Sequence, residues 1–243
     1  MCPAELPNQT DIMKKASINF KAVTSYSEQH NQRLVIPDYV IPGDGKIPKN
    51  ISVIGEPIEQ RLEKIKSLYS EKVKQKWQTQ MTPIKEAVIV LDKECFRDSE
   101  GKFSDKGILD NLKKLNQALF DRYSIQAFQT HIHFDEGKKS QHGAITSLWE
   151  RNLHAHVLYD WQDKETGKMA KLGRKDMADI QTLTAETLGL ERGVFNSKAE
   201  RLEHGEYREK MQQLQEELQA KKSRLALLTN NVKNLKSKLE SLN

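Results

Sequence analysis

Thiols are scarce in this sequence: of 243 residues only Cys2 and Cys95 carry one. Two cysteines without a CxxC spacing exclude a disulfide scaffold and a thiolate zinc site, so a reducing, cytoplasmic setting is expected. Long apolar runs are missing too. Nothing approaches the roughly 18 consecutive apolar residues of a membrane span, and the opening MCPAELPNQTDIMKKASINF lacks the apolar segment of a signal peptide, so membrane insertion is not expected. There is no glycine-rich phosphate loop, and with it no call for a nucleotide cofactor. What is present is 37% hydrophobic residues, enough for one sizeable core with an appendage, and an excess of basic over acidic side chains, 39 against 34, which suits a nucleic-acid or acidic-surface partner.

Periodicity divides the chain. A polar arm over 1–16 precedes a strand from Ser17 to Val23, and the proline- and glycine-rich stretch Leu34 to Glu56 reads as a long irregular connection. Ile58, Leu62, Ile65, Tyr69, Val73 and Trp77 recur at helical spacing up to Gln80, with lysines 64, 66, 72, 74 and 76 on the other face. Ile84 to Leu91 is a β-branched buried strand. A second helix starts with Ser104 or Asp105 as N-cap and carries Ile108, Leu112, Leu115 and Leu119 on one stripe. The strand Ile125 to Asp135 alternates, with Phe128, Thr130, Ile132 and Phe134 on one side and Gln129, His131, His133 and Asp135 on the other. Asn152 to Tyr159 is a further strand, and a helix follows from Lys175 to Leu188. This order predicts an α+β fold with helices packed on one face of a mainly antiparallel sheet, over a domain of residues 17–202. Residues 203–243 differ. Met211, Leu214, Leu218, Leu225, Leu228, Val232, Leu235, Leu239 and Leu242 keep a/d spacing, interrupted by Lys221, which predicts a coiled-coil helix and a homodimer.

The chemistry concentrates on two strands. His133 and Asp135 share a face of one, His154 and His156 share a face of the next, and such pairs can converge on one cation. Three imidazoles leave coordination positions open, as a catalytic site requires. Mn²⁺, Mg²⁺, Zn²⁺ and Ni²⁺ are all admissible, and ligand type alone does not choose among them. Asp135 counts among the metal-facing groups, suited to orient a ligand imidazole, and Glu136 serves as a further ligand or a proton acceptor. A hydrogen-bonded polar sheet face and a structural zinc are the plainer readings of the same histidines.

His30-Asn31-Gln32-Arg33 has no intrinsic site geometry and acquires meaning only in combination. The order HNxR, then His133-Phe-Asp135-Glu136, then His154-Ala-His156, with Arg192-Gly193 and His204 to Tyr207 further on, resembles the MobV (Pre/Mob) mobilisation relaxases. The seventeen residues between Glu136 and His154, ending in Leu153, depart from that family's short, proline-ended spacing. The resemblance implies an endonuclease of the HUH type, with a divalent metal, Mn or Mg foremost, that nicks and rejoins one strand at an origin of transfer. It implies His30 as the nucleophile that joins the 5′ end, with Arg33 on phosphate. Tyr26, one helical turn before His30, is the alternative nucleophile. The partners implied are origin DNA, single-stranded or as a hairpin, and other transfer proteins. The rival functions are a phosphodiesterase without a covalent intermediate, and a non-catalytic coiled-coil DNA-binding factor.

Overall fold

The computed structural model describes residues 15–42, 48–96, 105–139, 149–194 and 204–240. The sequence-predicted N-terminal arm and the features at Ser104 and Leu242 lie outside the described residues, apart from residues 15 and 16 of the arm. Two compact units emerge, Met1–Phe195 and Asn196–Asn243.

The first unit is built on a six-stranded sheet, ordered β2-β4-β7-β3-β1-β8. Its strands are β1 (Lys15–Ala22), β2 (Ile51–Ile54), β3 (Ile84–Val90), β4 (Gln126–His133), β7 (His154–Asp160) and β8 (Glu191–Arg192). All neighbours are antiparallel except β1 and β8. A short ribbon of β5 (Gly137–Lys139) and β6 (Trp149–Arg151) begins the hairpin that joins β4 to β7. Every residue of β7 is buried.

Helices cover both faces of this sheet, where the sequence pattern predicts one. On one face, α3 (Asp105–Tyr123) and α4 (Arg174–Leu188) pack against Ala87, Ile89, Ile132, Ala155, Val157 and Tyr159. The expected stripe of α3, Ile108, Leu112, Leu115 and Leu119, is at most 1% exposed, and each such side chain contributes about 1.5–3 kcal/mol of burial. On the other face lie α1 (Ser25–Asn31) and α2 (Ile58–Val73), the latter resting its Ile65 on Ile84, Phe128 and Leu158. Apolar alternation marks one face of a strand as buried. It does not say that the other face, when it also carries apolar residues at one end, needs its own helix.

Three boundaries move for local reasons. Lys74 adopts a left-handed conformation, φ 56°, so α2 stops at Val73 and Trp77 packs from outside the helix. The connection Leu34 to Glu56 contains the edge strand β2, paired with β4 from Ile51↔Ile132 to Ile54↔Gln129. The register of β4 against β7 shifts between Ala127 and Gln129, a β-bulge at Phe128. The extra residue reverses the alternation upstream. Phe128 therefore joins the α2 side and not the side of Ile132 and Phe134.

The second unit is α5 (His204–Glu240), a helix whose a/d side chains are all exposed. Among the described residues no helix is long and apolar enough to cross a membrane.

Candidate metal and nucleophile site

At the end of the sheet away from Phe128, the register sets His131 beside His156 and His133 beside His154. Residues two apart on a strand share a face, so these four imidazoles and Glu86 of β3 point to the α1 side. Helix α1 brings His30 down onto them. Its ring centroid is 5.3 Å from that of His133 and 5.1 Å from that of His156.

The carboxylate that joins the histidines is Glu136. Its oxygens lie 3.2 Å from His133 Nδ1, 3.5 Å from His154 Nε2 and 3.5 Å from His30 Nε2. Asp135, expected on the metal face, is turned to Arg33 instead, accepting 3.0 Å and 2.6 Å bonds from Nε and Nη2. The reason is that β4 ends at His133. Beyond it the chain bends, Val40 bridges to Glu136, and the alternation that assigned Asp135 to that face no longer applies. Arg33, in a left-handed conformation just past α1, also donates to Glu136 (2.6 Å) and to the His30 carbonyl (3.0 Å). It is thus committed to two carboxylates, which ties the loop after β4 to the end of α1.

Each strand histidine has one ring nitrogen held by the protein. His133 Nε2 meets the Asn31 carbonyl at 3.1 Å, His154 Nδ1 the Asn152 carbonyl at 2.6 Å, and His156 Nδ1 the Glu86 carboxylate at 2.7 Å. Of the opposite nitrogens, His156 Nε2 is buried without a hydrogen-bond partner, as is Nδ1 of His30, and His133 Nδ1 is buried with only the Glu136 carboxylate, itself an acceptor, beside it. Orphaned buried acceptors are costly unless something else engages them. Ligand atoms of His133, Glu136 and His154 lie within 4.8 Å of one another, as do those of His30, His133 and His156. The donor set therefore fits a divalent cation. The three strand rings are each fixed through one nitrogen, the arrangement usual for metal-binding histidines.

The electrostatics point the same way. Burial holds the His30 imidazole down to about 4 and His156 down to about 3, and it lowers His154, so these rings are neutral and have lone pairs to offer. Burial resists ionisation of Glu136, yet His133, His154 and Arg33 hold its carboxyl far below the usual range. Glu86 is likewise buried but kept ionised, at about 2, by His156, Lys21 and Asn31.

Glu86 is the residue that sequence reasoning missed, and Asn31, quoted within the HNxR motif, had no role assigned to it. Asn31 Nδ2 donates to Glu86 at 2.9 Å, so one carboxylate fastens both a strand histidine and the helix that carries His30. A signal existed: Glu86 interrupts Ile-Lys-Glu-Ala-Val-Ile-Val on the face it shares with Ile84 and Val88. His131, on the same face, is used up between Ser52 (2.9 Å) and Gln129 (3.1 Å). Tyr26 is 46% exposed with its ring 5.9 Å from that of His30, and Tyr39 stands 6.4 Å away on the other side. Burial raises the Tyr39 phenol to about 12.

No protein-family profile matches the chain, and no curated protein matches its sequence. Solved structures do match. A MobM relaxase domain (MOBV; Mob_Pre) bound to plasmid pMV158 oriT DNA of 22 nucleotides, Mn-bound, superimposes with a TM-score of 0.60. It is 16% identical, over 81% of this chain and 99% of its own. A second Mn-bound complex, with a 3′-thiophosphate, gives 0.59 at 16% identity over 82% and 100%. A complex with 26 nucleotides of the same DNA gives 0.53 at 13% identity over 80% and 99%. The chain thus has the fold of the MOBV (Mob_Pre) relaxase domain.

Proposed function

We propose that this protein is a metal-dependent DNA relaxase that nicks one strand at an origin of transfer, becomes joined to the 5′ end through His30, and later rejoins the strand. The observation that carries this reading is the convergence of a helix-borne imidazole, His30, on the cluster of His133, His154, His156 and Glu136. A structural metal site would have no use for a neutral, buried nucleophile poised beside it. The shared fold with relaxase domains bound to oriT DNA supports the substrate class, and their manganese supports Mn²⁺ or Mg²⁺ as the ion.

His133, His154 and His156, with Glu136, would hold the cation. When bound it supplies charge neutralisation on the scissile phosphate and polarises phosphorus. The chain's own residues do the rest. Glu136, 3.5 Å from His30 Nε2, favours the tautomer protonated there and leaves Nδ1 with its lone pair. Nδ1 attacks phosphorus, the bond from phosphorus to the 3′ oxygen breaks, and that oxygen leaves and is protonated by solvent. Ionised Glu136 balances the positive charge that develops on the ring, and the Nε2 proton is lost to solvent, which offsets the proton that the 3′ oxygen takes up and leaves the phosphoramidate ring uncharged. Arg33 keeps Glu136 oriented throughout, and its αL turn fixes the distance from His30 to the loop after β4. Rejoining reverses these steps, with the 3′ oxygen attacking and His30 as leaving group.

A second reading has one observation in its favour. His30 is itself within ligand range of His133 and His156, which would free the exposed Tyr26 beside it to act as nucleophile. The deciding experiment is incubation with supercoiled plasmid carrying the DNA that flanks the protein's own coding sequence, plus Mn²⁺, followed by mass spectrometry of the linked peptide. An acid-labile adduct on His30 is expected. An adduct on Tyr26 would transfer the role, and cleavage with no adduct would identify a simple phosphodiesterase. Within a transfer complex, α5 is the proposed surface for self-association and for other transfer proteins.

A further inference from the structure

Helix α5 carries eight apolar a/d side chains from Met211 to Leu239, each 45–65% exposed. A straight helix drifts by about 20° per heptad against a strict seven-residue repeat, so a seam kept over four heptads suits a supercoiled partner. If each side chain covers on the order of 100 Å², two such stripes bury about 1,600 Å², the size of a stable interface. A second copy of the chain offers a stripe of the same length and spacing.

Orientation follows from charge. Residues 204–220 hold two basic and four acidic side chains, net −2, whereas residues 221–240 hold six basic and one acidic, net +5. Parallel pairing would lay the two +5 halves side by side. It would also set Lys221, the charged residue of the seam, opposite its own copy in one layer. In each helix Lys221 already leans on Glu217 at 2.6 Å, the acidic neighbour nearest the seam. Like charges directly opposed are unfavourable in helix pairs, and e/g charges choose orientation.

We propose that α5 pairs with α5 of a second copy in antiparallel orientation, in the register that sets Leu218 opposite the partner's Leu235. This register puts Lys221 against the partner's Val232 and Glu217 beside the partner's Lys238, and it lays residues 213–220, net −2, along the partner's residues 233–240, net +2, while the cations of residues 221–232 face their own copy in reverse order and are staggered along the axis. The two seam lysines then stand about 16 Å apart along the axis. The N-terminal ends of the two helices, where each catalytic unit joins, are separated by about 68 Å.

The orientation rests on self-association of α5 and is independent of the nicking chemistry. The test uses the full chain in a Cys2→Ser, Cys95→Ala background. Copies with Leu218→Cys are mixed with copies bearing Leu235→Cys, left to exchange, and oxidised. A disulfide between the two different variants, with little from either alone, is expected. Efficient self-linkage of Leu218→Cys would mean parallel pairing and overturn the orientation while sparing the dimer. Sedimentation equilibrium as a strict monomer at high micromolar concentration would overturn both, and would leave the stripe to another part of the chain or another protein.

Discussion

At the scale of single residues, the site is organised by carboxylates that never need to touch the substrate. Glu86 is 1% exposed and bonds His156 and Asn31 at once. Its removal should loosen the metal and shift the His30 helix together. Glu86→Gln is expected to weaken Mn²⁺ binding by about 10–100-fold, the usual effect of losing the group behind a ligand histidine, while far-UV circular dichroism stays unchanged. Titration calorimetry on the purified variant checks this, and an unaltered affinity would reduce Glu86 to a packing role. His154→Ala removes a proposed ligand outright. Loss of bound metal and of nicking is expected together, and a variant that nicks normally with full metal content would show that the cation sits elsewhere.

At the scale of elements, two backbone devices decide what the site looks like. The bulge at Phe128 delivers one aromatic side chain to the α2 face, where it packs with Ile65, Ile84 and Leu158 beneath the Arg61 guanidinium, 5.0 Å from its ring. Phe128→Ala should cost about 3–5 kcal/mol in urea unfolding, because the small cluster has little else to close the gap. Ser124 ends α3 in a left-handed conformation, φ 56°, a strained place for a side chain. Ser124→Gly is expected to stabilise the unit by about 1 kcal/mol. Legibility followed the same divide. Helical and strand periods located α2, α3, α4 and the four inner strands, and residue identity brought His133, His154 and His156 to one face. What periodicity could not reveal depends on pairing: the bulge that turns Phe128, the end of β4 that exchanges Asp135 for Glu136, and the edge strand β2 within a proline-rich connection. Nor does a lone Glu86 in a strand announce its partner, since His156 lies seventy residues away.

At the scale of the whole molecule, the question is whether α5 serves the first unit or only joins copies of it. The first unit closes its own cores on both faces of the sheet, and the described apolar residues buried there all come from its own elements. Leu228→Lys combined with Leu235→Lys puts two charges into the seam and should convert a concentration-dependent dimer into a monomer, read by sedimentation equilibrium. The same variant should keep the unfolding midpoint of the first unit and the proposed nicking of a short single-stranded oligonucleotide. Binding to plasmid should weaken, because two linked basic units profit from effective concentration and from the phosphates each neutralises. Raising the salt should narrow that difference, since the phosphate contacts fade with ionic strength. A fall in the unfolding midpoint of the double variant would instead mean that the stripe folds back on its own first unit. That outcome would reverse the reading of α5 from a joining rod to a third layer of the fold.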